Sequence, residues 1–236
     1  MTLTPMQEIL ILLEDEKKVP LFRLNRWGRP ARGALAKMKN MGFIKKEVIR
    51  EETYYCITDA GEKYFDNLLA VLSENKKWDS RWRLVMFDIP EKNRATRDKL
   101  RRALTALGLG ILQGSVWISS YDIKSEIDKI SEKLNIPNSI RYFEVTASPA
   151  LNEQIIEKSW NLPELNYEYE VFIKEGNRAL RTMGKGNGDR FKAKTLIFKY
   201  ALILKKDPKL PEAFIEQNIL RKEAHDLYTK LRVYAN

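Results

Sequence analysis

The chain has few of the side chains that build disulfides, metal centres or membrane spans. Its 236 residues include one cysteine, Cys56, and one histidine, His225. A single cysteine excludes a disulfide within the chain, and a single histidine excludes a His/Cys metal cluster. No apolar run reaches the ~20 residues that a helix needs to cross a bilayer. The first residues also lack the charged start and apolar core of a signal peptide. These absences predict a cytoplasmic protein with no membrane segment.

Positive charge, by contrast, is abundant and concentrated in one segment. The chain has 42 Lys and Arg against 32 Asp and Glu, a formal net charge of +10. Residues 17–50 contain eleven basic residues and one acid, Glu47, so this segment alone accounts for the net charge. The eleven are Lys17, Lys18, Arg23, Arg26, Arg29, Arg32, Lys37, Lys39, Lys45, Lys46 and Arg50. Such a concentration is typical of a surface that binds nucleic acid.

The order of patterns over residues 1–75 predicts a winged helix-turn-helix domain that binds duplex DNA. The predicted elements are a helix from Thr4 to Asp15, a basic connector (17–27), a helix (30–41), two strands (43–49 and 53–58) and a helix to residue 72. The two strands form a hairpin with its tip near Arg50, Glu51 and Glu52. Residues 73–77 have the polar composition of a linker and end the domain.

The helix over residues 30–41 is predicted to read DNA. Its apolar residues fall on one face, and small or hydrogen-bonding residues fall on the other. Gly33 and Ala36 on the outer face would let the backbone lie close to the floor of a groove. The candidate DNA-binding residues are Arg29, Lys37 and Asn40 for base edges, Arg32 and Lys39 for phosphates, and Lys45, Lys46 and Arg50 for phosphates beside the hairpin. The alternative is a solvated basic surface without a partner.

Residues 78–147 are predicted to form a ferredoxin-like α+β domain of the βαββαβ type. The predicted elements are a strand (82–89), a helix (94–107), a segment with the composition of a strand (109–119), a helix (124–134) and a strand (140–145). Both helices are expected on one face of the sheet, which leaves the other face to be covered. Residues 148–236 are predicted to be helical, in four segments (150–159, 164–181, 191–205 and 212–234). The glycine-rich segment 183–190 lacks the spacing of a phosphate loop and is predicted to be a surface loop.

Three strings in the central part, WRLVMFDIPE, RxxLRRALxxLGLG and LQGSVWIS, resemble the central domain of the PaaX-type transcriptional repressors. That domain is similar to the small CRISPR-associated adaptation nucleases of the Cas-two family. The tail strings DPKLPEAF and AHDLYTKLR resemble the C-terminal region of the same repressors, although Asn218 and Ile219 replace an expected tryptophan. The resemblance implies a homodimer that covers the open sheet face, a repressor function, and release from DNA by an anionic, acyl-CoA-like effector. It does not identify the residues that bind the effector.

Asp88 supports an alternative, enzymatic interpretation. It falls at the end of the first central strand, where the adaptation nucleases that this part resembles have a metal-binding aspartate. Two such carboxylates in a dimer would hold Mg²⁺ for phosphodiester hydrolysis. However, an aspartate before Ile-Pro also suits a turn or a helix start, Glu91 is the only acid nearby before the basic helix, and no histidine is available to act as a base. We therefore expect no catalytic residue, metal or cofactor, with a weak endonuclease using Asp88 and Mg²⁺ as the alternative. An RNA-binding adaptor is less favoured, because the basic segment shows no aromatic stacking surface.

Overall fold

The computed structural model describes residues 2–73, 78–184, 186–208, 210 and 219–235. The chain divides into two compact units. The N-terminal unit comprises Met1–Ser73, Glu170–Leu202 and Arg221–Asn236, and the central unit comprises Glu74–Tyr169 and Ile203–Leu220. Both units mix helices with antiparallel sheet, so the predicted α+β class is confirmed. The predicted linker over residues 73–77 lies almost entirely outside the described residues.

The N-terminal unit begins with a capped helix. Its first elements are α1 Pro5–Glu16, β1 Lys18–Pro20, α2 Leu21–Leu24, α3 Gly28–Asn40, β2 Ile44–Ile49, β3 Glu52–Ile57 and α4 Asp59–Leu69. The side chain of Gln7 accepts from the Thr4 backbone N–H at 2.8 Å, while Thr4 Oγ1 accepts from the Gln7 N–H. This reciprocal capping box satisfies two of the N–H groups that a helix start leaves open. The apolar run over residues 9–13 of α1 is buried throughout, so α1 is central to the core of this unit.

Residues 17–27 were predicted to be a connector, and this prediction was wrong. They form β1, α2 and a 3₁₀ turn over Asn25–Trp27. β1 pairs antiparallel with β3, with Val19 opposite Tyr55, and completes a three-stranded sheet of order β1-β3-β2. A strand of three residues and a helix of four are too short to show a hydrophobic period, which is why the sequence did not reveal them.

The start of α4 lies in close contact with the segment between α3 and β2. Thr58 is the N-cap of α4, and its Oγ1 also donates a hydrogen bond to the Gly42 carbonyl at 2.6 Å. A Cβ atom at Gly61 would lie 2.2 Å from the Phe43 carbonyl oxygen. Only glycine therefore fits at residue 61, and the contact ties α4 to the segment between α3 and β2. The helix predicted to continue to residue 72 ends at Leu69 and gives way to the 3₁₀ turn Ala70–Ser73.

The central unit is a four-stranded antiparallel sheet with helices. Its elements are β4 Trp82–Phe87, α5 Arg94–Ala106, β5 Gly110–Gln113, β6 Val116–Ser119, α6 Lys124–Leu134, β7 Ile140–Val145 and α7 Pro149–Ser159. The strand order is β5-β6-β4-β7. Residues 109–119 are two strands, because Gly114, with a φ of 51°, turns the chain between them. Val85 and Phe87 of the sheet pack against Leu100 and Leu104 of α5 in one buried cluster.

The second face of this sheet is partly covered by the chain itself. Trp82 and Ile118 pack in one cluster with Ile155 and Ile156 of α7. The expectation that this face is left open is therefore wrong at the end where α7 packs. On the same face Met86 is 40% exposed and Phe143 is 47% exposed. The uncovered part of the face is consequently smaller than the sequence predicted, and it is apolar.

Three further helices complete the described chain: α8 Leu162–Leu180, α9 Asn187–Lys206 and α10 Ile219–Ala235. The predicted helices over 164–181 and 191–205 are confirmed as α8 and α9. The start of the helix predicted over 212–234 lies outside the described residues. Helix α9 begins at Asn187, inside the loop predicted over 183–190, and Asp189 in its first turn accepts from the Gly184 backbone N–H at 2.9 Å. No helix in the described ranges is long and apolar enough to span a membrane.

Candidate nucleic-acid interface

Helix α3 has the two faces that its sequence predicts. It begins at Gly28, whose φ of 61° follows the 3₁₀ turn and is a conformation that glycine adopts without steric cost. Its apolar residues are buried: Ala31, Ala34, Leu35 and Met38. Its outward residues are all exposed: Arg29, Arg32, Gly33, Ala36, Lys37, Lys39 and Asn40. A Cβ atom at Gly33 would meet nothing within 4 Å, so the outer face is unobstructed within the described protein.

The basic side chains of α3 are free. Arg29, Arg32, Lys37 and Lys39 form no ion pair or hydrogen bond with any residue that the structure describes. Lys46 and Arg50, beside and at the tip of the hairpin, are equally free and exposed. Six of the basic residues in the 17–50 segment therefore direct their charge into solvent. An exposed set of unpaired cations is what phosphate recognition requires.

The remaining basic residues of the segment are paired within the N-terminal unit. Lys17 Nζ lies 2.9 Å from Glu62, and Lys18 Nζ lies 2.6 Å from Glu47. Arg23 pairs with Glu16, and the Arg26 guanidinium lies 3.8 Å from the centre of the Trp27 ring. Lys45, a predicted phosphate contact, has its Nζ 3.0 Å from Glu47. Sequence reasoning did not separate free cations from paired ones, because the pairs join different elements of the fold.

The hairpin of β2 and β3 lies next along the chain. Ile49 is opposite Glu52, so Arg50 and Glu51 alone form the loop, with φ values of 48° and 68°. Positive φ at both residues is the geometry of a type I′ hairpin turn. Val48 is 64% exposed and Ile49 is 42% exposed. These two exposed apolar side chains were not among the predicted site residues, although they lie directly before the predicted hairpin tip.

The central and C-terminal parts of the chain match two known protein families. Residues 75–156 match the family described as PaaX protein central Cas2-like domain, and residues 160–235 match PaaX-like protein C-terminal domain. Together the matches cover well over half of the chain. The chain belongs to the PaaX family. The family membership that the WRLVMFDIPE string and the tail strings indicated is thus confirmed.

The fold has a counterpart among solved structures. The uncharacterized protein Rv0674 from Mycobacterium tuberculosis superposes with a TM-score of 0.57 at 16% sequence identity. The alignment covers 88% of this PaaX-family chain and 83% of that protein. At this identity the likeness establishes a shared fold and nothing about activity. No curated protein matches the chain.

Asp88 of this PaaX-family chain is exposed directly after β4. Its backbone N–H donates to the Ser139 carbonyl at 2.9 Å, which extends the pairing of β4 with the segment before β7. The nearest acid in sequence, Glu91, is paired with Arg97 at 2.6 Å, and this ion pair lowers the pKa of Glu91. Within the described ranges no three His, Cys, Asp or Glu side chains are grouped as a metal site would need. One chain therefore offers a single carboxylate at this position.

Proposed function

We propose that this chain is a PaaX-type transcriptional repressor that binds duplex DNA through its N-terminal unit. The observation that carries the proposal is the outer face of α3, where four unpaired basic side chains surround Gly33 and Ala36. The element order α1, β1, α2, α3, β2, β3 supports a winged helix-turn-helix domain. In such a domain the second helix of the motif enters the major groove. The family matches support a regulator and not an enzyme.

In this proposal α3 is the recognition helix. Gly33 and Ala36 allow its backbone to approach the groove floor. Arg29 and Lys37 supply donors for guanine O6 and N7, and the Asn40 amide suits adenine N6 and N7. The phosphate contacts come from the free cations Arg32, Lys39, Lys46 and Arg50. Lys45 contributes less, because its charge is neutralised by Glu47.

The central unit is proposed to hold two copies together. Its strand order, β5-β6-β4-β7, is the one expected of a ferredoxin-like domain. Met86 and Phe143 leave an apolar area on the sheet face that α7 does not cover, and a second copy would bury it. We propose the division 1–75 for DNA binding, 78–147 for dimerisation and 148–236 for a helical C-terminal region. Two α3 helices related by a two-fold axis would suit a palindromic operator.

The family also supports an acyl-CoA-like effector that releases the repressor. A repressor of this kind has lower affinity for its operator when the effector is bound, because the effector prefers the free protein. Adding an aryl-CoA thioester to the preformed complex should therefore lower the fluorescence anisotropy of a labelled operator. Free coenzyme A at the same concentration is the matched control. Equal release by both would remove the thioester effector from the proposal.

The decisive experiment measures binding to DNA from upstream of the coding region. Anisotropy of that duplex at ~150 mM salt is compared with a scrambled duplex, because affinity without a stated salt concentration has no meaning. The upstream duplex should bind more tightly, and Arg29→Ala or Lys37→Ala should each weaken it by ~10-fold or more. Lys63→Ala, an exposed lysine of α4, is the control and should change little. Unchanged binding in both α3 variants, with the dimer intact by size-exclusion chromatography, would contradict the assignment.

A metal-dependent nuclease is the second candidate function, favoured by the exposed position of Asp88 at the end of β4. It predicts that labelled duplex is shortened in the presence of Mg²⁺ or Mn²⁺. Asp88→Asn should abolish that cleavage without changing the affinity for the duplex. Intact DNA after incubation of the unaltered protein with both metals would exclude this candidate.

A further inference from the structure

Helix α5 is a second place where positive charge collects. Residues 91–106 contain six basic residues and two acids, a net of +4, although the chain outside residues 17–50 sums to about zero. The neighbouring helix α6 packs on the same face of the central sheet, since Leu104 of α5 and Ile127 of α6 belong to one buried cluster. Residues 124–134 of α6 contain three basic residues and three acids. The excess charge therefore belongs to α5 and not to this side of the unit as a whole.

The cations of this segment lie on the outer face of α5. Leu100 and Leu104 are buried in the core of the unit, and Arg97 beside them is paired with Glu91. The other basic side chains are exposed: Lys92 in the 3₁₀ turn before the helix, and Arg94, Lys99, Arg101 and Arg102 on α5 itself. Five exposed cations therefore fall within residues 92–102.

Acids neutralise few of these cations. Lys92 and Lys99 form no ion pair or hydrogen bond with any residue that the structure describes. Arg101 and Arg102 donate to backbone carbonyls at 3.3 Å and 3.2 Å, and no described carboxylate pairs with either. In α6, by contrast, one lysine donates to both oxygens of Asp128. Four positive charges thus remain available to a partner on the α5 surface.

One acid interrupts this surface. Asp98 is exposed on the same helix, and its Oδ2 lies 4.0 Å from Arg94 Nε, which is a long distance for an ion pair. The Arg94 side chain is 73% exposed and that of Asp98 is 50% exposed, so water screens the contact. Asp98 therefore weakens the positive potential of the surface without removing Arg94 from it.

The chemistry of the outer face decides which partner fits. Helix α5 has no aromatic side chain on which the bases of a single strand could stack. Its exposed residues include no apolar side chain larger than alanine, so the face lacks the apolar centre of a protein interface. Arg94 and Arg102 are ~12 Å apart along the helix axis, a length over which duplex DNA carries ~7 phosphate charges. The phosphate backbone of duplex DNA is the partner that matches this face.

The proposed dimer would leave this face accessible. Side chains alternate along β4, so Val85 and Phe87 pack on α5, whereas Met86 is directed to the opposite face of the sheet. The dimer proposed above buries Met86 and Phe143 on that opposite face. Helix α5 would consequently stay exposed in both copies.

We propose that the outer face of α5 is a second DNA-binding surface, which holds the phosphate backbone of duplex DNA without reading its bases. The phosphate contacts come from five side chains: Lys92, Arg94, Lys99, Arg101 and Arg102. Three of the five are arginines, whose guanidinium groups can pair with two phosphate oxygens at once. This surface goes beyond the proposed function, because it adds affinity that depends neither on α3 nor on the sequence of the DNA.

The first test removes three exposed positive charges from α5 and, in a matched variant, three from α6. The two variants are Arg94→Gln/Lys99→Gln/Arg102→Gln and Lys124→Gln/Lys129→Gln/Lys133→Gln. Binding of the full-length proteins to a scrambled duplex is followed by fluorescence anisotropy over a salt series that begins at ~50 mM. The α5 variant should bind ~10-fold or more weakly, and its slope of log K against log salt should flatten by about 2 to 3. The α6 variant, with the same change in net charge, should stay within about 2-fold of the unaltered protein.

The second test adds affinity. Asp98→Asn removes the acid from the α5 surface and should lower the Kd for the scrambled duplex by about 2-fold to 5-fold. Asp128→Asn makes the same change in charge on α6 and should leave the Kd unchanged. A gain in affinity does not arise from misfolding, so this test holds even where the triple variant is unstable.

The proposal is overturned if the two triple variants bind alike, since net charge alone would then explain the affinity. It is also overturned if Asp98→Asn binds no more tightly than Asp128→Asn, or if single-stranded RNA of the same sequence displaces the labelled duplex better than unlabelled duplex does. The α3 assignment is tested separately, by the preference for upstream over scrambled DNA, so failure of one proposal leaves the other standing.

Discussion

Lys45 and Glu47 form an ion pair along strand β2, with Nζ 3.0 Å from the carboxylate. The same carboxylate lies 2.6 Å from Lys18 Nζ on β1, so one acid pairs with two cations on the two strands that flank β3. Hydrogen bonds from Lys18 and Lys45 lower the pKa of Glu47 to about 2, which keeps the carboxylate ionised at neutral pH. Glu47 therefore limits how far the positive surface extends from α3 toward the hairpin.

Glu47→Gln should strengthen DNA binding. The change removes the negative charge and frees Lys18 and Lys45 to reach phosphates. We expect the Kd for the upstream duplex to fall by roughly 3-fold to 10-fold near 150 mM salt, and the slope of log K against log salt to steepen by about 1 to 2. Fluorescence anisotropy over a series of salt concentrations measures both quantities.

Glu62→Gln is the control for this experiment. Glu62 is also paired with a lysine, Lys17, at 2.9 Å, but it lies on α4. Its substitution should leave affinity and salt slope unchanged. If Glu47→Gln behaves like Glu62→Gln, then Lys18 and Lys45 lie away from the DNA.

Ala36→Gln should weaken DNA binding without weakening the fold. Residue 36 is exposed on the outer face of α3, so a longer side chain costs the protein less than about 0.5 kcal/mol of unfolding free energy. In the proposed complex the same side chain would hold the helix away from the groove floor and reduce operator affinity by ~10-fold or more. Ala60→Gln, at an exposed alanine of α4, makes the same change elsewhere and should not alter affinity. Equal affinities of the two variants would contradict the docking of α3.

The elements that sequence predicted best are those with a clear hydrophobic period or a cap. The bounds of α6 and β7 match the prediction to the residue, and α1 begins after the predicted Thr4 cap. The buried and exposed faces of α3 also follow directly from its 3.6-residue period. Local signals of this kind depend only on neighbouring residues, so one sequence is enough to reveal them.

The features that sequence could not predict depend on contacts between distant segments. The ion pair of Lys18 with Glu47 requires the β1-β3-β2 sheet, and β1 is too short to leave a pattern. The packing of α7 on the central sheet could not be predicted, because the apolar face of this helix could pack on many other apolar surfaces. The free cations of the candidate DNA surface are likewise distinguished from the paired ones by the fold alone.

Gly61→Ala should destabilise the N-terminal unit, whereas Gly33→Ala should stabilise it. A Cβ at residue 61 would lie 2.2 Å from the Phe43 carbonyl oxygen and 2.8 Å from Ile57 Cγ1, so the backbone must shift. Overpacking of this kind costs about 1–3 kcal/mol or more. Residue 33 lies inside α3 with free space around it, so alanine there gains about 0.5–1 kcal/mol from its better helix propensity. Urea denaturation followed by far-UV circular dichroism measures both changes, and a stable Gly61→Ala variant would contradict the close contact.

Asp79 and Arg83 of the central unit form a two-point ion pair. Asp79 Oδ1 and Oδ2 each accept a 2.6 Å hydrogen bond from the Arg83 guanidinium, whose side chain is 5% exposed. This pairing lowers the pKa of Asp79 from 3.8 to about 2. A carboxyl with a lowered pKa in the folded state stabilises the protein above its unfolded pKa and loses that effect as the pH falls through its folded pKa. The stabilisation from Asp79 should therefore be complete above about pH 4 and vanish near pH 2.

Asp79→Asn tests whether the stabilisation from Asp79 is lost as the pH falls. At pH 7 the variant should unfold with a free energy lower by about 1–2 kcal/mol, a value discounted because Asp79 is half exposed and Glu144 lies 3.6 Å from the same guanidinium. Between pH 4 and pH 2 the two proteins should converge, since protonated Asp79 no longer carries the charge that Arg83 stabilises. Urea unfolding at a series of pH values, followed by tryptophan fluorescence, measures the difference. Asp128→Asn, which breaks the exposed pair with Lys124 on α6, should cost less than about 0.5 kcal/mol. A gap between Asp79→Asn and the unaltered protein that persists to pH 2, or that has closed by pH 5, would show that Arg83 does not set the ionisation of Asp79.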